Sequence, residues 1–243
     1  MPTLHMKFRK RDTLALLAAF ALTGCGKSED EKAKDDAGKA ADTSANPAVA
    51  PAKAVDVPKS LGPVDMEKAK APGVLPEMTM GDPKAPVTII EYMSMTCPHC
   101  ARFNNDTFPT IKTKYIDTGK VYWILREFPL DPAAVAAIML ARCAPNNGYF
   151  PMVDVLFKQQ VAWATSNDVR GALLQISKLA GFTQASFEAC LTDQKLLDDV
   201  QATKQKGDKE FGVASTPTFL VNGGRYAGEM SVDIMSALID SML

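Results

Sequence analysis

Two cysteines two residues apart, in Cys97-Pro98-His99-Cys100, are the side chains of this 243-residue sequence best placed to do chemistry. Thiols at that spacing can close into a disulfide or open into a dithiol, carrying two electrons between the forms. Exchange needs a thiolate, and an unperturbed cysteine ionises near 8.5. The tetrapeptide follows a β-like run, Val87 to Tyr92, and precedes a long helical pattern. Cys97 therefore falls at a helix start, where backbone N–H groups and the helix dipole favour negative charge. His99, when protonated, adds a second favourable charge, and Pro98 and His99 together tune the sulfurs. Cys100, one turn in, reads as the buried, less reactive partner. Cys97 is then the nucleophile and Cys100 the resolving thiol. A Cys97 ionising near pH 4 would gain about three units at pH 7, or roughly 4 kcal/mol. That makes the pair about 90 mV more oxidising. The gain belongs to the reduced form alone, so it drives the pair to give its disulfide away.

Other chemistries fit less well. Half a structural zinc site would need a second Cys-x-x-Cys or a nearby histidine, and the sequence has neither. A copper(I) site using Met93 and Met95 is a further reading, set against core or groove lining. The sequence calls for no metal and no cofactor. Glu91 lies on an otherwise apolar strand, either at a solvated edge or as a functional buried carboxylate. Pro217 opens a strand, where proline is disfavoured.

The N-terminus bounds the compartment. Residues 1–24 combine a basic patch (Lys7, Arg9, Lys10, Arg11) with an apolar run, Leu14 to Leu22, too short to span a bilayer. Leu22-Thr23-Gly24-Cys25 resembles a bacterial lipobox, in which Cys25 would be diacylated and anchor the protein. An ordinary signal peptide with an incidental cysteine is the plainer alternative, and would leave a secreted periplasmic protein. Either way His5 is removed, leaving His99 as the one histidine and excluding His-rich metal sites. Cys97, Cys100, Cys143 and Cys190 remain; an even count in an exported chain fits two disulfides. The net charge of −1 gives no support for nucleic-acid binding.

Residues 25–72 are Ala, Lys, Asp, Glu and Pro with few large apolar side chains, and read as a disordered tether. Its reach is about 40 Å root-mean-square. The folded part, 73–243, opens with the strand Val87–Tyr92, a helix from Pro98 to about Thr118 kinked at Pro109, and a strand Val121–Leu125. Five helical patterns follow between about 131 and 210, with Asn167 and Thr183 as N-caps. Thr218–Val221, the turn Asn222-Gly223-Gly224, a short strand Arg225-Tyr226 and a helix capped by Ser231 complete the order.

From about residue 74 to 243 the chain resembles the DsbA-like thiol:disulfide oxidoreductases of the thioredoxin superfamily. The resemblance rests on Cys97-Pro98-His99-Cys100, on Glu91 six residues earlier, on the helical insert and on Ser215-Thr216-Pro217-Thr218-Phe219. It implies a thioredoxin-like α/β fold, βαβ…ββα, with an inserted all-helical subdomain. It implies donation of a Cys97–Cys100 disulfide to reduced, unfolded exported proteins, and reoxidation by a DsbB-like quinone-linked membrane partner. Glu91 would lie beneath the disulfide and assist proton movement. Pro217 would be cis and face it, with the backbone of Thr216 pairing with extended substrate; several oxidases of the family carry Val where this chain has Thr216. Cys143 and Cys190, spare thiols on the plainer reading, would form a structural disulfide closing about 46 residues and contributing roughly 3–4 kcal/mol. A reductase or isomerase on this fold, and a thiol-dependent chaperone or metal carrier, are the alternatives.

Overall fold

A computed structural model describes residues 55–243. The expected signal segment 1–24, Cys25 and the first part of the tether lie outside the described residues.

Strand β2 (Val87–Met93) is buried along its whole length, which is why its sequence reads as a nearly unbroken apolar run. It pairs in parallel with β3 (Val121–Glu127) and antiparallel with β4 (Thr218–Val221). A short strand β1 (Met78–Met80), too brief to leave a sequence signal, adds antiparallel to β3, and β5 (Gly224–Ala227) closes the far edge. The sheet order is β1-β3-β2-β4-β5. Asn222 and Gly223, both at positive φ, form the two-residue hairpin between β4 and β5.

Alternation divides the sheet into two faces. Ile89, Met93, Trp123 and Leu125 pack into the main core; Ile90, Tyr92 and Ile124 pack with Phe128 and Phe211 in a smaller one. Glu91, between Ile89 and Met93, shares the main-core face.

The helical run after β2 comprises α2 (Pro98–Arg102), a π-helical turn (Phe103–Thr107), α3 (Phe108–Ile111) and a second π-helical turn (Lys112–Ile116). The bonds Phe108 N–H to Phe103 O and Asp117 N–H to Lys112 O widen the helix on either side of Pro109. Proline supplies no N–H and crowds the preceding turn, so the expected kink takes this form.

Six helices lie between β3 and β4, one more than the periodicity suggested: α4 (Pro132–Arg142), α5 (Tyr149–Lys158), α6 (Gln160–Ala164), α7 (Val169–Leu179), α8 (Gln184–Leu191) and α9 (Gln194–Phe211). The pattern around 149–164 breaks at Gln159, whose φ of −104° and ψ of 13° leave the helix. Asp168, rather than Asn167, caps α7 by accepting from Gly171 N–H, while Thr183 caps α8 with a reciprocal Ser186 contact. A Cys143–Cys190 disulfide ties the end of α4 to α8. Helix α9 crosses β2 at Gly207, where a Cβ would meet the Tyr92 ring at 2.7 Å. Helix α10 (Val232–Asp240) starts at its Ser231 cap.

The expectation that residues 25–72 are disordered is corrected at its C-terminal end. Helix α1 (Met66–Lys70) is capped by Asp65, and Ala69 is fully buried. Leu61 N–H donates to Arg225 O and Val64 N–H to Gly223 O, both at 2.8 Å. These bonds occupy the free edge of β5. Backbone pairing anchors the segment, a contribution that side-chain composition does not register.

Candidate active site

Cys97 is the N-cap of α2 and Pro98 its first residue, so the helix begins with its free N–H groups around the sulfur. Cys97 is 5% exposed and Cys100 fully buried. The Cys97 thiol lies 3.1 Å from the Thr216 carbonyl, and the Thr216–Pro217 peptide bond is cis. This places Pro217 and Thr216 against the dithiol, 119 residues away in sequence.

The Cys97 thiol is pushed down from 9.0 to about 5. The largest cause is the hydrogen bond from the Cys100 thiol; burial opposes it, and Thr216 and the backbone N–H groups of Cys100 and His99 lower it further. The buried Thr216 hydroxyl has no hydrogen-bond partner among the described residues. Cys100 moves the opposite way, raised first by burial, then by its bond to Cys97 and by the charge of Glu91. The two sulfurs thus divide into one that ionises readily and one that does not.

His99 meets the site through its backbone. Its backbone N–H is among the causes that lower Cys97, but its ring turns outward, 57% exposed, toward Glu229 and Arg102. Nδ1 is 3.0 Å from Glu229 Oε2 and 2.7 Å from Arg102 Nη2.

Glu91 sits on the central strand, which rules out the solvated-edge reading. It is 5% exposed, and its carboxyl is pushed up to about 8, by burial first and by the nearby Cys97 charge second. It lines a cavity of about 410 Å³ walled by Phe108, Trp123 and Phe150. Met93 and Met95 are fully buried core residues. Among the described residues, no group of three or more His, Cys, Asp or Glu side chains is placed to hold a metal. None of the described helices is long and apolar enough to cross a membrane.

A thioredoxin family model matches residues 74–241. Crystal structures of Wolbachia pipientis alpha-DsbA1 superpose with a TM-score of 0.64 at 34% identity, covering 70% of this chain and 93% of that one. The chain belongs to the thioredoxin family, in its DsbA-like branch. A Rickettsia bellii relative, provisionally named a protein-disulfide oxidoreductase, is 35% identical over 168 residues. The alignment covers 69% of this chain, and the chain spans 64% of that relative's length. BdbD from Bacillus subtilis, at 20% identity and a TM-score of 0.61, shares the fold, with 77% of this chain and 98% of that one covered.

Two residues of this DsbA-like site carry no sequence signal. Gln160, at the start of α6, donates through Nε2 to Met95 O at 2.8 Å and Cys97 O at 2.9 Å, holding the loop that carries Cys97. Thr96 is tied to the insert as well, through its hydroxyl to Asp131 Oδ2 at 2.6 Å. The second is Glu229, an acidic residue in the loop after β5; only the fold brings it to His99. The helical insert therefore supports the dithiol of the DsbA-like domain from one side, and the β5–α10 loop flanks it on another.

Proposed function

We propose that this DsbA-like chain is an exported thiol:disulfide oxidoreductase acting as an oxidase. The observation that carries the reading is a Cys97 thiol held near 5 beside a buried Cys100. At pH 7, lowering a thiol from 9.0 to about 5 stabilises the reduced form by about 2.7 kcal/mol, because only the part of the shift below ambient pH counts. That corresponds to a pair roughly 60 mV more oxidising, smaller than the sequence estimate and of the same sign.

A substrate thiolate attacks Cys97 Sγ, the more accessible sulfur, and the Cys97–Cys100 bond breaks with its electron pair going to Cys100. Glu91, protonated near neutrality and buried on the same side, is placed to serve the proton that Cys100 then takes up. A second substrate thiolate attacks the substrate sulfur of the mixed disulfide, and Cys97 leaves as a stabilised thiolate. The substrate has lost two electrons and the protein has gained them.

Reduced, unfolded exported proteins are the substrate class and a DsbB-like membrane oxidase the reoxidant. The Cys143–Cys190 disulfide supports an oxidising compartment. Residues 1–24 act as a signal, Cys25 as the lipid anchor, and the following segment as a tether in the periplasm.

The test mixes oxidised protein with a reduced, unfolded substrate protein and counts thiols by alkylation. The oxidase reading expects stoichiometric loss of substrate thiols and none with Cys97→Ser. Cys100→Ser, first activated at Cys97 as a mixed disulfide with thionitrobenzoate, releases that group to the substrate thiolate and stays trapped as a mixed disulfide with the substrate. Rearrangement of a scrambled substrate without net thiol loss would instead establish an isomerase. Radiolabelled palmitate incorporation, abolished by Cys25→Ala, checks the anchor.

A further inference from the structure

His99 Nδ1 has two neighbours that make opposite demands on it. Glu229 Oε2, 3.0 Å away, belongs to a carboxylate and can only accept a hydrogen bond; Arg102 Nη2, 2.7 Å away, can only donate one. One nitrogen cannot serve both at once. In the neutral ring, accepting from Arg102 requires the lone pair on Nδ1, which leaves the hydrogen on Nε2. In the imidazolium, Nδ1–H donates to Glu229 and Nε2 still carries its hydrogen. The remaining tautomer, with hydrogen on Nδ1 alone, sets two N–H groups against each other across 2.7 Å, as the imidazolium also does. It lacks the full positive charge with which the imidazolium meets the Glu229 carboxylate.

The clamp is built rather than incidental. Arg102 Nε reaches both Glu229 oxygens, at 2.9 and 3.1 Å, and its Nη2 reaches Oε2 at 2.9 Å. His99 and Arg102 share one face of α2, three residues apart, and Glu229 comes from the β5–α10 loop. That loop is fixed to the site by Gly228 N–H donating to Pro217 O at 2.9 Å. Asp106 and Asp233 line the same hollow as Arg102 and Glu229, and Cys97 heads the helix that carries His99. Nε2 has no partner among the described residues.

We propose that Arg102 and Glu229 are positioning residues that keep His99 an Nε2–H donor in both charge states. Its acceptor is a backbone carbonyl of the extended polypeptide joined to Cys97 in the mixed disulfide. The inference rests on the thiol–disulfide exchange reading above.

The test uses the reduced protein with ¹⁵N-labelled histidine; the signals lost in His99→Gln are those of His99, whether or not the segment carrying His5 has been removed. At alkaline pH the ring nitrogens report the Nε2–H tautomer in the parent. In Arg102→Met, Nδ1 loses its donor and the ring moves to the Nδ1–H tautomer paired with Glu229. Arg102→Lys, which keeps a donor, returns it toward Nε2–H. Kinetically, oxidised Arg102→Met reacts about fivefold more slowly with a peptide dithiol, the worth of one hydrogen bond, and at the parental rate with dithiothreitol, which has no peptide carbonyl. An Nδ1–H tautomer in the parent, or equal losses toward peptide and dithiothreitol, overturns the proposal. Failure of the parent to oxidise either dithiol would instead remove the exchange reading, while leaving the tautomer result standing.

Discussion

Replacing Glu91 with Gln should make the protein more stable, and by an amount that depends on pH. The carboxyl has an ordinary value of 4.5 and sits at about 8 in the folded chain, with burial the first cause. The raised value fixes the sign. Between about 4.5 and 8 the native state holds a proton that the unfolded chain has released, so stability falls as pH rises through that window. Below it both states are protonated and the penalty vanishes. At pH 7 the cost works out to about 3 kcal/mol from 1.36 kcal/mol per unit. Cys97 pulls the other way in the reduced protein: its depressed value adds stability that is full above 9.0 and lost as pH falls through about 5. The oxidised protein removes that competing titration and the Cys97 charge, while burial, the larger cause, persists. Urea unfolding of oxidised parent and Glu91→Gln at pH 4 and pH 7.5 therefore isolates the carboxyl. The difference should grow by about 2–3 kcal/mol in favour of Gln between the two conditions. Any fixed cost of a buried amide appears at both pH values and cancels. A pH-independent difference would refute the assignment of Glu91 as a buried carboxyl without a compensating partner.

Other substitutions probe the scaffold. Cys143→Ala with Cys190→Ala should cost about 3–4 kcal/mol in urea unfolding, from the loop that the bond closes in the unfolded chain. Gly207→Ala should lose about 1–3 kcal/mol, because its Cβ would strike the Tyr92 ring where α9 crosses the sheet. Gln160→Leu leaves two buried carbonyls, those of Met95 and Cys97, without a donor; about 1–3 kcal/mol of stability should go with a slower reaction at Cys97.

Much of the site was legible because its parts are local. The strand, the Cys-x-x-Cys and the helix that follows are contiguous, so the N-cap position of Cys97 followed from periodicity alone. Thr216 and Pro217 became readable through the resemblance rather than through any physical rule acting along the sequence. The direction of the His99 ring was not legible: it is set by Glu229, 130 residues away. Gln160 likewise looks like one polar residue among several in a helical pattern until α6 is packed against the loop at Cys97. The docking of residues 60–72 escaped notice for a different reason. Apolar content predicts whether a segment can build a core, and this one is held largely by backbone bonds to β5.

The account turns on the thiolate of Cys97. Titrating the reduced protein by thiolate absorbance, with the rate of iodoacetamide alkylation at Cys97 followed in parallel, measures it directly. A single midpoint near 5, with Cys100 silent across the range, is the predicted result. A Cys97 midpoint at the ordinary value of 9.0 would contradict it, since the reduced form would then gain nothing at pH 7 and the pair would have no drive to give up its disulfide.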